Sequence, residues 1–305
     1  MAMTSFSELR ARAQELGPRR VGLVVADDEI GLQAVESAAK LNIAIPILFG
    51  DEAKIRKKIH ELSAQALLEK AVFVAAEDAM AASRAAVRMA REGGLDLLLK
   101  GHLRTDELLR AALNKQSGLR TGRLLSDVLL YEDTLAGGRR LVGITDGGIN
   151  VAPTADEKIQ IVHNAVAVLH ALGMERPKIA LMSATEAVTE SVPSTVDANR
   201  LTEMAAGGAF GDCEVFGPLA LDNALLESAA KAKGIASQVA GHADCMVVPN
   251  IEAGNLLGKA VKYFGGSQCA HVVVGASAPI LIPSRVESAD DKLNSIALGV
   301  VAGGR

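Results

Sequence analysis

The chain has 305 residues, of which 49% are hydrophobic and 22% charged, and its formal net charge is −4. These totals are typical of a soluble globular protein of one large or two ordinary domains, and they argue against a general affinity for nucleic acids or anionic membranes. With no Trp, two Tyr and six Phe, the core must be aliphatic, as in parallel sheets covered by helices.

The first part of the chain alternates short apolar runs with longer helical patterns. Apolar runs alternating with amphipathic stretches indicate consecutive βαβ units, and hence a parallel sheet with helices on both faces. The pattern predicts strands at 21–26, 45–50, 71–76 and 95–101, and helices at 30–41, 51–69 and 78–92, the last ending at Gly93-Gly94.

Residues 128–146 interrupt this alternation. They predict two strands around a turn at Gly137-Gly138, and such a hairpin would break a doubly wound sheet, so a domain change is expected near residue 140. The α/β alternation then resumes, with predicted helices at 155–172, 197–206, 222–232, 254–264 and 289–301 and predicted strands at 178–184, 213–218, 244–250 and 271–277.

Several classes of protein are disfavoured by what the sequence lacks. The three cysteines are widely spaced, which indicates neither a disulfide framework nor a zinc site, and we expect Cys213 and Cys245 in the core. No histidine, His271 included, is spaced with another histidine or a carboxylate as a metal pair would be, so no metal site is predicted. The N-terminus has no apolar signal core and no apolar stretch is long enough to span a bilayer, so a cytoplasmic location is expected.

The candidate site residues follow predicted strands, because ligands of open α/β sheets lie outside the carboxyl ends of the strands. Lys100 and Gly101 close one strand, Thr105 is positioned to cap the next helix, and Arg110 lies one turn further on. Amides at a helix start beside a lysine and an arginine suit an anion such as phosphate. A capped helix with a solvated arginine explains the same residues equally well, and spacing leaves both interpretations open.

Three later segments also directly follow predicted strands. In PNIEAGN, Asn250 follows a strand and Gly254 and Asn255 stand at the next helix start, where an ordinary turn and cap is modestly favoured over ligand binding. GASAP presents the hydroxyl of Ser277, and Asp222 is expected to be the N-cap of the helix after it. The motifs GxGxxG after the first strand, GxxxxGK[ST] and GxSxG are absent, so neither a common nucleotide-binding mode nor a serine hydrolase is indicated.

The segment ILIPSRVESADDKLNS gathers the hydroxyl of Ser284, the cation Arg285 and three acids, Glu287, Asp290 and Asp291. Ser288 and Asp291 have the spacing of a capping box, which explains the acid without any catalysis. It does not explain Ser284 and Arg285 directly after a strand and a proline, where a guanidinium calls for an anion or a carboxylate. Chemistry and capping both remain open on this basis.

Taken together, these motifs resemble those of the phosphate acetyltransferase/phosphate butyryltransferase family, with the butyryltransferase branch the more similar. The ordered set covers most of the chain from residue 95 onwards. The stretches that carry the resemblance are KGHLRTDELLRAALNKQSGLRTGRLLSDV (100–128), ITDGGINVAPTADEKIQIV (144–162), VPSTVDA (192–198), FGPLALDNAL (216–225), VAGHADCMVVPNIEAGNLLGK (239–259) and VVGASAPILIPSRVESADDKLNSIAL (273–298).

The resemblance implies the reaction acyl-CoA + phosphate ⇌ acyl phosphate + CoA. It also implies a fold of two doubly wound α/β domains with a central cleft, similar to isocitrate and isopropylmalate dehydrogenases, in which the C-terminal helix returns to the first domain. The expected domains are therefore residues 1–140 plus 286–305, and residues 141–285. Coenzyme A is expected as a substrate with no tightly bound cofactor, and the enzyme as a homo-oligomer with small-molecule substrates.

The resemblance also implies roles for individual residues. The family's serine–arginine pair and aspartate match Ser284, Arg285 and Asp291, and its first-domain arginine matches Arg110. Butyryltransferase members often carry an acid where Glu287 stands, so Glu287 and Asp291 are rival candidates for the base. The alternatives are a metal- and NAD(P)-dependent decarboxylating dehydrogenase, or a non-catalytic CoA- or phosphate-binding protein.

Overall fold

A computed structural model of the chain describes residues 2–135 and 138–303. These residues divide into two compact units, each built of strands and helices. The first unit consists of Ser7–Arg123 together with the residues from Ala270 onwards, and the second unit of Leu124–Cys269 together with the N-terminal residues up to Phe6.

The described residues form both strands and helices throughout, so the fold is mixed α/β. The strands are β1 (Arg19–Val24), β2 (Ala44–Gly50), β3 (Val72–Ala75), β4 (Leu97–Lys100), β5 (Ser126–Asp133), β6 (Arg140–Thr145), β7 (Lys178–Met182), β8 (Glu214–Leu219), β9 (Cys245–Val247), β10 (Cys269–Val274) and β11 (Ile280–Leu281). The helices are α1 (Phe6–Glu15), α2 (Glu29–Lys40), α3 (Glu52–Glu61), α4 (Gln65–Lys70), α5 (Ala79–Arg91), α6 (Thr105–Ala112), α7 (Ala155–Ala171), α8 (Pro193–Ala206), α9 (Leu221–Leu225), α10 (Glu227–Ala232), α11 (Ile251–Tyr263) and α12 (Ala289–Ala302).

The strands of the first unit are hydrogen-bonded in the order β3-β2-β1-β4-β11-β10. All neighbours run parallel except β10 and β11, which are antiparallel. The carboxyl ends of β1, β4 and β11 therefore meet at one edge, and α12 packs on α2. This edge carries most of the predicted site residues, because Lys100 ends β4 and Ser284 follows β11 closely.

The strands of the second unit are hydrogen-bonded in the order β5-β6-β9-β7-β8, with β5 and β6 antiparallel and the others parallel. The predicted hairpin is thus confirmed, although Gly137 of its predicted turn lies outside the described residues. Because β6 also pairs with β9, both hairpin strands belong with the second unit. The division between the units therefore falls at 123/124 and 269/270, whereas the sequence placed it at 140/141 and 285/286.

Most predicted elements are present with ends shifted by a few residues, and two predicted helices are each split in two. The helix predicted over 51–69 is α3 and α4, separated at Ser63, whose φ of 54° is a left-handed conformation that no helix continues through. The helix predicted over 222–232 is α9 and α10. Asp222 is not its N-cap, since α9 begins at Leu221 and Ala220 stands at the cap.

The buried residues are largely aliphatic, as the composition requires. In the second unit the core cluster includes Val142, Ile144 and Met246 from adjacent strands. Cys213 and Cys245 are buried, as predicted, and burial raises the pKa of their thiols to about 11 and about 12. Within the described ranges, no helix has the length and apolar character needed to cross a bilayer.

Candidate functional site

The edge of the first unit at the end of β4 is built by close backbone packing. A Cβ on Gly101 would lie 2.4 Å from the carbonyl oxygen of Val25, so only glycine fits there. Val25 itself has a φ of 59°, a strained value for a β-branched residue. Its carbonyl accepts the amide of His102 at 2.9 Å. These backbone hydrogen bonds, with that of the Gly101 amide to the Val24 carbonyl, hold the β1 and β4 chain ends together beside Lys100.

Lys100 is buried, with 4% of its surface exposed. Within the described residues its ammonium makes neither a hydrogen bond nor an ion pair. Burial, followed by the nearby cations Lys292 and Arg285, lowers the pKa of Lys100 to about 8. A nearly buried ammonium without a partner requires a compensating anion, which a ligand can supply.

The structure revises the rest of the predicted 100–110 anion site. The amides of Gly101, His102 and Leu103 donate to backbone carbonyls, and that of Arg104 donates to the Glu107 carboxylate at 2.8 Å. The predicted amide cradle for phosphate is therefore already occupied by protein acceptors.

Thr105 does not cap α6, contrary to the sequence prediction. Arg104 stands at the N-cap position and Thr105 is the first helical residue. The cap is formed instead by the Glu107 side chain, which accepts the amide of Arg104. Thr105 is partly buried at the helix start, and its hydroxyl is not needed for capping.

Arg110 lies in a different environment from Lys100. Its guanidinium is exposed and forms a 3.4 Å ion pair with Asp106 one turn earlier. It lines a cavity of about 330 Å³, the arginine cavity, together with Arg84, Arg88 and Arg91 of α5. A cavity lined by four arginines suits a ligand with several negative charges.

The loop between β11 and α12 presents the predicted hydroxyl, cation and acid. Ser284 is partly buried, and its carbonyl accepts the amide of Glu287 in a tight turn. Arg285 is exposed and has no ion-pair partner among the described residues. The Glu287 side chain folds inward: the residue is 7% exposed, and its Oε2 is buried without a hydrogen-bond partner.

The carboxylate of Asp291, four residues after Glu287, forms hydrogen bonds at the start of α12. Its Oδ2 accepts the hydroxyl of Ser288 at 2.6 Å and the amide of Ser288 at 3.1 Å, while the Asp291 amide donates to the Ser288 hydroxyl. This is the capping box that the sequence predicted. Asp291 is fully buried within it, so the two rival acids differ in how their oxygens are used.

Sequence spacing missed two contacts in this region. Lys292, 2% exposed, forms an ion pair with Asp28, which also caps α2 by accepting the amide of Gly31. His271 on β10 lies beside Glu287, with Nε2 3.5 Å from Oε1. In neither contact do the two residues belong to a common motif, and Lys292 is far from Asp28 in the sequence. The apolar runs, which predict neighbouring strands, are the only sequence signal that these residues lie close together.

The predicted polar residues of the second unit serve mainly the start of α11. Asn250 is the N-cap of this helix and accepts the amide of Ala253 at 2.9 Å. A Cβ on Gly254 would lie 2.7 Å from the Cα of Gly147, so Gly254 permits close backbone packing. The Asn255 amide group donates to the Gly147 carbonyl at 3.4 Å. Asn250 is therefore a helix cap, which is the interpretation that the sequence favoured.

Asp146, at the end of β6, is a buried acid with an unusual environment. Its carboxylate accepts the amides of Gly148, Ile149 and Asn150 and the side chain of Asn150. Burial, together with the charge of Asp127, raises the pKa of Asp146 to about 6 despite these hydrogen bonds. Its acceptor capacity is consumed by its own loop, which makes it a structural group.

Two further predictions can be placed. Ser277 is exposed after β10, and its amide donates to the carbonyl of Leu119 at 2.9 Å. In residues 2–135 and 138–303, no group of three or more His, Cys, Asp or Glu side chains is arranged to hold a metal ion.

The described residues form a mixed α/β protein with polar and charged side chains at the ends of its strands. The sequence model of the phosphate acetyl/butaryl transferase family matches residues 68–300. The phosphate butyryltransferase of Clostridium beijerinckii is 39% identical over 303 residues, covering 99% of this chain and 98% of the relative. The phosphate acetyltransferase of Rickettsia prowazekii is 38% identical over 300 residues, covering 97% of this chain and 84% of the relative.

A solved structure agrees with these relatives. The crystal structure of a branched-chain phosphotransacylase from Enterococcus faecalis has a TM-score of 0.80 and 30% identity, covering 93% of this chain and 99% of that one. The chain therefore belongs to the phosphate acetyl/butaryl transferase family.

Proposed function

We infer that this chain is a phosphate acyltransferase that interconverts acyl-CoA and phosphate with acyl phosphate and CoA. The near full-length similarity to phosphate butyryltransferases and phosphate acetyltransferases supports this reaction. The observation that carries it is a set of charged groups without a hydrogen-bond or ion-pair partner at one edge of the first unit, namely Lys100, Arg285 and the Oε2 atom of Glu287. The thiol of CoA requires a base to accept its proton. The phosphate anion requires cations to bind it.

Glu287 is the base in this proposal, and the thiol proton goes to its Oε2. Towards acyl-CoA, the S–H electron pair stays on sulfur, which attacks the carbonyl carbon of the acyl phosphate. The carbon–oxygen bond to phosphate then breaks and phosphate leaves with the electron pair. In reverse, a phosphate oxygen attacks the thioester, the carbon–sulfur bond breaks, and Glu287 returns the proton to the thiolate. A free thiol has a pKa of about 8.5, so a base is needed near neutral pH.

Glu287 is preferred over Asp291 because of how their oxygens are bonded. Both carboxylates are buried, but Asp291 accepts two donors from Ser288 and completes the cap of α12. Moving a proton onto Asp291 would weaken that cap in every turnover. The buried Oε2 of Glu287 has no partner, so it can accept a substrate proton without breaking a protein contact.

The cations are assigned to the charges that develop during transfer. Arg285 has no ion pair within the described chain and stabilises the carbonyl oxygen as the tetrahedral species forms. Lys100 binds the phosphoryl oxygens, which supply the anion that its buried ammonium lacks. Ser284 orients the sulfur by a hydrogen bond.

The arginine cavity binds the phosphate groups of CoA. CoA carries a diphosphate and a 3′-phosphate, and Arg110 stands with Arg84, Arg88 and Arg91 around about 330 Å³ of space. Guanidinium groups match phosphate oxygens in pairs. Arg110 is thereby a CoA ligand, distinct from the lysine that binds the transferring phosphate.

Transfer is direct, in a ternary complex. A covalent acyl-enzyme needs an activated nucleophile, and the three cysteines are all buried, with burial raising the pKa of Cys213 and Cys245. Orientation of the two bound substrates then supplies a large part of the rate. Initial rates measured against both substrates should give intersecting lines; parallel lines or a trapped acyl-enzyme would contradict direct transfer.

The reaction is tested by phosphate-dependent release of CoA from acetyl-, propionyl- and butyryl-CoA, followed with a thiol reagent. We expect release with at least one thioester, abolished when phosphate is omitted and accompanied by an equal amount of acyl phosphate. CoA binding without release would point to a non-catalytic protein. NAD(P)H formation from hydroxy acids would point to a dehydrogenase.

Four finer statements belong to the same proposal. We expect the two units to have the isocitrate/isopropylmalate dehydrogenase-like arrangement with a central cleft. We also expect no tightly bound cofactor, a homo-oligomeric state and a cytoplasmic location. Absorbance spectra of the purified protein test for a bound cofactor, and light scattering tests the oligomeric state.

A further inference from the structure

The contact between His271 and Glu287 suggests a role that the sequence did not indicate. His271 lies on β10, its side chain is 16% exposed, and its Nε2 is 3.5 Å from Oε1 of Glu287. The other carboxylate oxygen, Oε2, is buried without a partner. One oxygen of the proposed base thus faces an imidazole, while the other is left for a substrate.

We propose that His271 is a positioning residue for Glu287, donating from Nε2 to Oε1 so that Oε2 is held towards the thiol of CoA. This rests on the proposed function, in which Glu287 accepts the thiol proton. A separation of 3.5 Å is long for a hydrogen bond, but catalytic hydrogen bonds often tighten only when substrate binds. His271 does not touch the reacting atoms and acts through Glu287.

The protein fixes both partners to the same turn of α12. The His271 amide donates to Oγ of Ser295 at 2.9 Å, and Oγ of Ser295 donates to the carbonyl of Asp291 at 2.9 Å. Asp291 in turn holds Ser288, the residue after Glu287, through the capping box. The cap therefore ties the strand that carries the histidine to the loop that carries the base.

The charges around the pair make this placement useful. Lys100 interacts electrostatically with Glu287, and Arg285 and Lys292 lie close enough to Lys100 to oppose its charge. Lys292 is neutralised by Asp28. A mobile Glu287 side chain could turn to pair with Lys100 and lose its free oxygen. The His271 contact holds Oε1 so that Oε2 stays available for the substrate proton.

Only the thiol proton is transferred in this arrangement. Neutral His271 with the proton on Nε2 donates to Oε1, and that proton stays on the imidazole. The thiol proton binds to Oε2 and returns to the thiolate in reverse. No further acid, base or oxidant is required.

The test compares His271→Ala, His271→Gln and Glu287→Gln in the CoA-release assay, with kcat, both KM values and the Tm. Misplacing a catalytic group can lower the rate by about 100-fold, and we expect His271→Ala to lower kcat by roughly 10- to 100-fold with KM values changed less than about threefold. His271→Gln keeps an N–H donor and should recover most of kcat. His60→Gln, on the exposed side of α3, is the matched control and should behave as wild type.

The outcomes separate this inference from the proposed function. A wild-type protein that releases no CoA in the presence of phosphate would refute the proposed function. If the wild type is active and Glu287→Gln is not, while His271→Ala keeps kcat within about twofold, only the role of His271 is wrong. A loss in His271→Ala that His271→Gln does not restore, together with a lower Tm, assigns the residue to packing and overturns the inference as well.

Discussion

The starts of α11 and α12 look alike in sequence and differ in structure. Each follows a strand, and each carries several polar residues in a short loop. At α11 the polar atoms are consumed by the protein, since Asn250 caps the helix and Asn255 bonds the neighbouring loop. At α12 the cap needs Ser288 and Asp291, yet a free guanidinium and an unpaired carboxylate oxygen remain.

This contrast shows which polar residues are free to act on a substrate. A carboxylate or amide that satisfies backbone donors contributes to stability and has little bonding capacity left. A buried polar atom without a partner destabilises the fold unless a ligand pairs with it. The α12 segment carries such atoms, and the predictions below test that difference.

The largest effect is expected for Glu287→Gln. Loss of a general base typically lowers rates by about 10²–10⁴-fold, and glutamine keeps the size of the side chain but cannot accept the thiol proton. We expect kcat in the CoA-release assay to fall by that factor and the Tm to be unchanged or higher. A turnover within threefold of wild type would remove Glu287 from the mechanism.

The second largest fall in kcat is expected for Arg285→Ala. Removing one donor that stabilises a developing oxyanion lowers kcat by about 10²–10³-fold. Arg285 is exposed and has no ion pair within the described residues, so its removal should leave thermal unfolding nearly unchanged. Near-normal turnover, measured at saturating substrates, would contradict the assigned role.

Lys100→Met should affect phosphate binding and stability in opposite directions. Loss of a charge-assisted contact of about 1.5–3 kcal/mol should raise the KM for phosphate by roughly 10- to 100-fold. The pKa of Lys100 is lowered to about 8, so below pH 8 the folded protein holds an unfavourable buried ammonium, and this penalty disappears as pH rises past 10.5. The variant should therefore be more stable at pH 7, by on the order of 1–3 kcal/mol, with the advantage shrinking above pH 8. A destabilised variant with an unchanged KM for phosphate would refute this account.

Asn250→Ala should have the smallest effect on turnover. Loss of an N-cap destabilises a protein by about 1 kcal/mol, because the amide of Ala253 loses its acceptor. Denaturant unfolding should show that loss, while kcat per folded molecule stays within about twofold of wild type. A large fall in kcat without a change in stability would instead make Asn250 a substrate ligand.

Much of the fold could be predicted because its signals are local. Apolar runs indicated the strands, and the Gly-containing segment between two such runs indicated the β5–β6 hairpin. The errors arose where one residue's conformation decides the outcome: Ser63 breaks a helix that amphipathicity alone would continue. Arg104, with Glu107 reaching back to its amide, replaced the expected Thr105 cap.

The candidate site was only partly predictable, because hydrogen-bond and ion-pair partners are often far apart in the sequence. Strand ends and charge located Lys100 and Arg285, and the family resemblance added Glu287, but sequence cannot show whether a polar atom already has a partner. The contact between His271 and Glu287 joins a strand to a loop beyond the next strand. The pair of Lys292 with Asp28 joins helices more than 250 residues apart. Such partners follow from strand order and helix packing rather than from motif spacing.

The most direct test is the ratio of kcat for Asp291→Asn to kcat for Glu287→Gln, measured in one CoA-release assay with folded fractions determined in parallel. The account predicts that Asp291→Asn loses about 1 kcal/mol of stability and retains most of its turnover, so the ratio should be about 100 or more. A ratio near or below one, with Asp291→Asn inactive although folded, would make the capping aspartate the base and contradict the central claim.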